Sequence, residues 1–447
     1  VKDSGGIRDV HAFKWGFLAA AIAMLIGTAV FYFLKNKYVV TPEGRPLGGL
    51  PSKNDASDYE EGESQKAVFS QKALIGAVIG FLVLGVIFHY LIGQNWIYTV
   101  IYSSGITLAG LIISDSSLTK IERDRIFVIY IVAFFVIFFW AAFEQAGSSL
   151  TFIADNQTDR NFFGWNMPPS MVQIFNGAFV FIFAFPFSVL WDYLRSKGKE
   201  PISPVKQSIG LALIAVSYFI IAHNVKDLGN TGLLGIQWLI LLYLIQTFAE
   251  LCLSPIGLSL VGKLSPKRFA SLLFGVFFLS NAAGYALAGT LGSILPPTGD
   301  KYIAAEKANI DLKAILDGKK VADGAELFTL AKMNFAKVND DAAKENKLDI
   351  EKKIKNIAQI KSDKELAEKN NKPFVNNFKA TDTTFTNQEL DIIKSKKVIV
   401  AEYPSFAGFT IKTLFDFFMV FVVLCGIAAV ILFALTPVLK KMMHGVR

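Results

Sequence analysis

The chain has 447 residues, 53% of them hydrophobic and 13% aromatic. With a mean hydropathy of +0.43, it is too apolar for a water-soluble protein of this length and belongs in a membrane. Its formal charge of +8 sits beside apolar runs rather than in a basic stripe interleaved with exposed aromatics, which argues against nucleic-acid binding.

A helix crosses a bilayer core with about 20 apolar residues. Nine runs of that kind lie near 12–35, 70–92, 96–114, 126–148, 171–194, 205–223, 233–262, 268–295 and 406–436. They are continuous and lack the alternation of a membrane barrel, so helices are predicted. The segment 36–69, with Pro42, Gly44, Pro46, Gly48 and Gly49 followed by five acidic residues, reads as a flexible cytoplasmic linker. Residues 70–114 form two helices turning at Gly93, Gln94 and Asn95, with His89 read as structural. Residues 115–296 hold five further spans, and Asp155, Asp159 and Arg160 between two of them read as solvated loop charges. The stretch 297–404 is rich in Lys, Asp, Asn and Ala, with apolar residues at three- and four-residue spacings, and reads as a partly helical insertion outside the membrane. Residues 405–447 form the last span and a tail, with Asp416 read as reaching the interface from a turn or two inside the helix.

Basic residues flank these spans: Lys35 and Lys37, Lys120, Arg123 and Arg125, Arg195, Lys197 and Lys199, Lys263, Lys267 and Arg268, and Lys440, Lys441 and Arg447. Threading the chain through nine spans puts all of them on one side. That side is cytoplasmic by the positive-inside rule, with the C-terminus inside and a bacterial inner membrane as the expected location. Cys252 and Cys425 read as small packed hydrophobes. Metal-ligand spacings and nucleophile–base pairs are absent from the sequence, so neither a cofactor nor an enzyme activity is expected. The first apolar run lacks a cleavage pattern, so no cleavable signal peptide is expected.

Two glutamates break the apolar pattern, Glu144 in FVIFFWAAFEQAGSSL and Glu250 in LLYLIQTFAELCLSP. A carboxylate at bilayer depth costs about 2.5–3.5 kcal/mol on insertion scales, so it faces a partner charge or a watery path. Trp140, Phe143 and Glu144 fall at i, i+3 and i+4 on one helical face, and Glu250 and Ser254 at i and i+4. Two such faces across a cavity make an acidic, aromatic-lined pocket suited to a zwitterion; ordinary helix packing by Trp140 and Phe143 is the alternative.

The run 138–150, with Met167-Pro-Pro-Ser-Met-Val-Gln173, Ala184-Phe-Pro186 with Leu190-Trp191, Glu250-Leu-Cys-Leu-Ser-Pro-Ile-Gly-Leu-Ser259, and Leu264-Ser-Pro266 with Gly275 and Leu279-Ser-Asn-Ala-Ala-Gly284, resembles the proton-coupled oligopeptide transporter family of the major facilitator superfamily. The resemblance covers about 12–295 and 406–440. It implies an all-α polytopic membrane protein that imports di- and tripeptides with protons by alternating access. It also implies that residues 1–35 are the last helix of an N-terminal bundle, 70–114 a lateral hairpin, and 115–296 with 405–447 the second bundle. The family's first-helix motif Glu-x-x-Glu-Arg-Phe is not found in the sequence, so the expectation is a chain without the first five helices, which the same gene or a second chain would supply.

The resemblance assigns Glu250 to the peptide amino terminus and Glu144 to an arginine at the outer gate. Asn176 would bond the peptide backbone, although Gly177 replaces the family proline, and Phe277 or Phe278 stands where a tryptophan lines a side-chain pocket. Other cargo, such as an amino acid or nitrate, and a non-transporting structural subunit remain open alternatives.

Overall fold

The computed structural model describes residues 13–40, 67–333, 335–369, 373–376, 378–379 and 382–446. Most of the expected linker, 41–66, lies outside the described residues, as does Arg447. The chain divides into two units, residues 1–65 with 351–384, and residues 66–350 with 385–447. In the first, α1 (Phe13–Tyr38) is an apolar helix with Lys35 and Lys37 in its last turn.

The second unit carries eight of the nine helices, among the described residues, that are long and apolar enough to cross a membrane. α2 (Gln71–Val86) starts where Ser70 accepts the amide of Ala73, and a π-turn over Ile87–Leu91 ends it. α3 (Trp96–Ile113) is capped by Asn95, and His89 stacks on Trp96 with ring centroids 3.9 Å apart. α4 (Lys120–Phe143) opens with a reciprocal box in which Thr119 and Glu122 satisfy each other's backbone amides. α6 (Ile174–Ser196), α7 (Ser203–Val225), α8 (Ile236–Leu264), α9 (Ala270–Gly292) and α16 (Leu414–Met442) complete the bundle. Its core centres on α7 and α16, where the fully buried Tyr218 stacks on Phe421 at 4.7 Å and donates to the carbonyl of Ala142 at 2.7 Å. The cysteines are free and buried.

The fourth span differs from the expected continuous run. α4 stops at Phe143, residues Glu144–Gly147 form a 3-10 turn, and a separate α5 (Ser149–Asn156) follows. A buried side chain accounts for the break: Gln145 Nε2 donates to the carbonyls of Ala141 and of Ala288 on α9, and Ser149 donates to Gln145 Oε1 at 2.6 Å. The last span is also shorter at its start, because β1 (Ser405–Phe406) and β2 (Phe409–Thr410) form a hairpin before it. Ala407 and Gly408 hold the left-handed conformation that a two-residue hairpin turn requires. Asp416 therefore lies in the first turn of α16, where it caps the helix with Thr413 rather than reaching outward from within it. Arg160 is likewise not a solvated loop charge. It donates to the carbonyl of Met167 at 2.8 Å and lies 3.6 Å from Asp155, with both side chains largely covered.

Between α9 and α16 the second unit forms five short helices, α10 (Gly299–Lys307), α11 (Leu312–Leu316), α12 (Gly324–Lys332), α13 (Asp340–Glu345) and α15 (Asn387–Ser395); the longer α14 (Ile350–Lys369) falls almost wholly in the first. Ala305, Ile310, Leu312, Ile315, Ala322 and Leu330 make a small core of their own. Lys337–Val338 pairs with Ile399–Val400, so the middle of the segment is tied to its end by a short ladder.

Candidate functional site

The two acidic residues come from α8 and from the turn that ends α4. Glu144 caps the C-terminal end of α4, half-buried; its backbone amide donates to the carbonyls of Trp140 and Ala142, while its carboxylate makes no hydrogen bond or ion pair among the described residues. Glu250 sits mid-way along α8, where its Oε2 accepts from Asn176 Nδ2 at 3.4 Å. The same amide group donates to Thr247 Oγ1 at 3.0 Å, and Thr247 in turn donates to the carbonyl of Tyr243. Asn176 is thus held in the first turn of α6 by α8, next to Gly177, which stands where a proline was expected.

Glu144, Glu250 and Tyr285 lie within electrostatic reach of one another. Their convergence depends on a close approach of α4 and α9: a Cβ at Gly284 would stand 2.7 Å from Trp140 Cβ and 3.0 Å from the carbonyl of Ile137. Gly275, by contrast, faces open space. With α9 so close, Tyr285 meets Trp140 edge-on at 5.7 Å, and Trp140 meets Phe143 edge-on at 5.5 Å. Phe143 is backed by the fully buried Phe139 at 5.5 Å. Trp140 and Phe143 are half-buried, so the aromatic wall packs on one side and is open on the other.

The remaining expected residues divide. Ser254 is partly exposed one turn beyond Glu250. Phe278 is 54% exposed, whereas Phe277 is 4% exposed, its ring turned into the core against Gly257. Phe277 packs because α8 and α9 meet at Gly257, and that leaves Phe278 as the ring facing outward. Sequence reading missed Thr247 and Tyr285. Thr247 precedes Glu250 by three residues on one helical face, and Tyr285 follows Phe278 by seven, so each had a periodicity that could have found it.

A sequence profile of the POT family matches residues 61–301, more than half of the chain. The chain belongs to the POT family. Among POT-family relatives, the "peptide transporter YePEPT" of Yersinia enterocolitica is 28% identical over 294 residues, covering 65% of this chain and 57% of that protein. The "dipeptide and tripeptide permease B" of Salmonella typhimurium is 29% identical over 172 residues, 38% of this chain and 35% of its own length. A crystal structure of a POT peptide transporter in complex with sulfate is 28% identical, covering 64% of this chain and 56% of that one, with a TM-score of 0.47. This POT-family chain therefore spans about half the length of the curated relatives it matches.

Proposed function

We propose that this chain carries the cargo-binding half of a major-facilitator-type transporter that moves di- and tripeptides with protons across a bacterial inner membrane. The observation that carries the reading is the pair Glu144 and Glu250, both in membrane-spanning segments, within electrostatic reach and walled by Trp140, Phe143 and Tyr285. Glu250, anchored by Asn176 and one turn from Ser254, takes the peptide amino terminus; Phe278 and Trp140 accept variable side chains. Glu144 pairs with a cation from outside the described residues and releases it when protonated, which biases one of two conformations. Rocking of this bundle against a facing one then exposes the site alternately. The C-terminus and the basic helix ends lie on the cytoplasmic side, and residues 297–404 lie outside. The names of these relatives support peptide as cargo. A carboxylate facing the cargo favours one with an amine over nitrate.

The test compares free with N-terminally blocked dipeptides. An amine–carboxylate hydrogen bond contributes about 1.5–3 kcal/mol, so Glu250→Gln weakens binding of a free dipeptide by about tenfold or more and leaves the blocked one unchanged. Equal affinity of the unaltered protein for both peptides sinks the assignment. Glu144→Gln abolishes uphill accumulation in vesicles while retaining peptide exchange; accumulation at the unaltered rate removes Glu144 from coupling.

A further inference from the structure

Glu144 and Glu250 lie in each other's field, and the described residues put no cation beside either. Asn176 is the one described side chain that bonds to these carboxylates, and it takes Oε2 of Glu250. Oε1 of Glu250 and both oxygens of Glu144 are left open to the site.

A third polar group faces the same space, the phenol of Tyr285. Its ring is held by packing. Gly284, its chain neighbour, brings α9 so close to α4 that a Cβ there would stand 2.7 Å from Trp140 Cβ, and the Tyr285 ring then meets the Trp140 indole edge-on, at 5.7 Å and 81°. Tyr285 is nevertheless 47% exposed. Its hydroxyl has both carboxylates within electrostatic reach and makes no hydrogen bond among the described residues. Tyr130 and Tyr218 differ, because their hydroxyls are committed to the carbonyls of Ala109 and Ala142. A phenol carries one proton and an oxygen that accepts. Beside two carboxylates the proton turns towards one of them, and the lone pairs are left for a donor. A protonated amine supplies that donor and the opposite charge together.

We propose that Tyr285 is a specificity-determining residue for the cargo's amino terminus: its hydroxyl oxygen accepts one ammonium N–H while Glu250 Oε1 accepts another. The inference rests on the reading of Glu250 as the amine anchor and adds a count of N–H groups to it. A primary ammonium has three N–H donors, as a lysine head does, and a singly methylated one has two, so both satisfy the two acceptors. A doubly methylated amine keeps its charge but has one N–H, which the carboxylate takes. The Tyr285 oxygen is then left without a donor, and such a peptide is disfavoured.

The test is a cycle of three forms of alanylalanine, free, N,N-dimethylated and N-acetylated, titrated calorimetrically into the purified full chain and into Tyr285→Phe, which keeps the ring against Trp140. A hydrogen bond from a charged donor is worth about tenfold or more in affinity. The unaltered protein is therefore expected to bind the free form about tenfold or more tightly than the dimethylated one, whereas Tyr285→Phe binds these two alike and still prefers both to the acetylated form. A ratio of free to dimethylated affinity that is the same in both proteins overturns the proposal. If the unaltered protein binds free and dimethylated forms alike but the acetylated one more weakly, Tyr285 is rejected and the Glu250 anchor stands; if it binds all three alike, both assignments fall. Loss of uphill accumulation in Tyr285→Phe with an unchanged ratio also overturns the proposal, because the hydroxyl then serves Glu144. If Tyr285→Phe is not monodisperse, the singly methylated dipeptide decides on the unaltered protein. It is expected to bind like the free form, and a loss already complete at the first methyl group rejects the count.

Discussion

α6 and α7 are consecutive spans of 23 residues each, and their sequences are about equally apolar, yet their environments are opposite. α7 has thirteen buried residues, including Lys206, Gln207 and Tyr218, whereas α6 has none. Phe181 is 88% and Phe185 76% exposed on α6, while Tyr218 and Ile221 on α7 are fully covered. Hydropathy thus measures compatibility with a bilayer, and says nothing about whether protein or lipid covers a given face. Small and polar residues are the better guide, because a helix packed on both sides needs close backbone approach.

Substitutions can break or sharpen that contrast. The largest effect is expected for Tyr218→Ala, which removes a fully buried ring and its bond to Ala142; it costs about 3–5 kcal/mol in reversible unfolding in mixed detergent micelles. Phe181→Ala on α6 shifts the same midpoint by under about 0.5 kcal/mol; a loss like that of Tyr218 would show that α6 is packed in the unfolding species. Glycines give a second, signed comparison. A Cβ at Gly210 of α7 would lie 2.9 Å from the carbonyl of Ala249 and 3.3 Å from Leu253 Cβ, so Gly210→Ala destabilises by about 1–3 kcal/mol. Nothing lies within 4 Å of a Cβ at Gly177 of α6, and there alanine stabilises by about 0.5 kcal/mol. Matching signs in the two variants would remove the contrast.

A pH-dependent effect concerns the junction between the two helices. Glu200 is held at about 2, below the ordinary carboxylate value, by Arg195 at the end of α6 and Lys206 at the start of α7. A depressed carboxyl contributes stability fully present above its unfolded value, about 4.3, and lost as pH falls through about 2. Glu200→Gln therefore costs under about 1 kcal/mol at pH 7, given its partial exposure. The difference from the unaltered protein shrinks as pH is lowered from 5 towards 2; a difference that grows instead overturns the assignment.

Much of the fold was legible because bilayer thickness imposes a length that few other constraints imitate. The glutamates were legible for the related reason that a charge inside an apolar run needs an explanation. Where sequence reading failed, distant partners decide the local structure. The turn at Glu144 depends on Gln145 reaching the carbonyl of Ala288, far away in the chain. Asp416 needed knowledge of the hairpin before α16, and Phe277 could be separated from Phe278 only once α8 supplied Gly257. A neighbour's shape is not written in the run of residues that meets it.

One side chain at the end of α5 has a mechanical consequence. Gln157, 2% exposed at the end of α5, donates to the carbonyl of Gly232 at 2.6 Å and accepts the amide of Gly299 at 2.6 Å, while its own carbonyl takes the amide of Leu234. One residue thereby rivets three strands of chain where α10 begins. Tension applied to the 299–404 segment, by a bound partner or by a pulling experiment, is delivered through that rivet to α5 and on to the turn bearing Glu144, bypassing the length of α9. A tether spliced in after residue 300 keeps the load path, whereas one that deletes Gly299 cuts it.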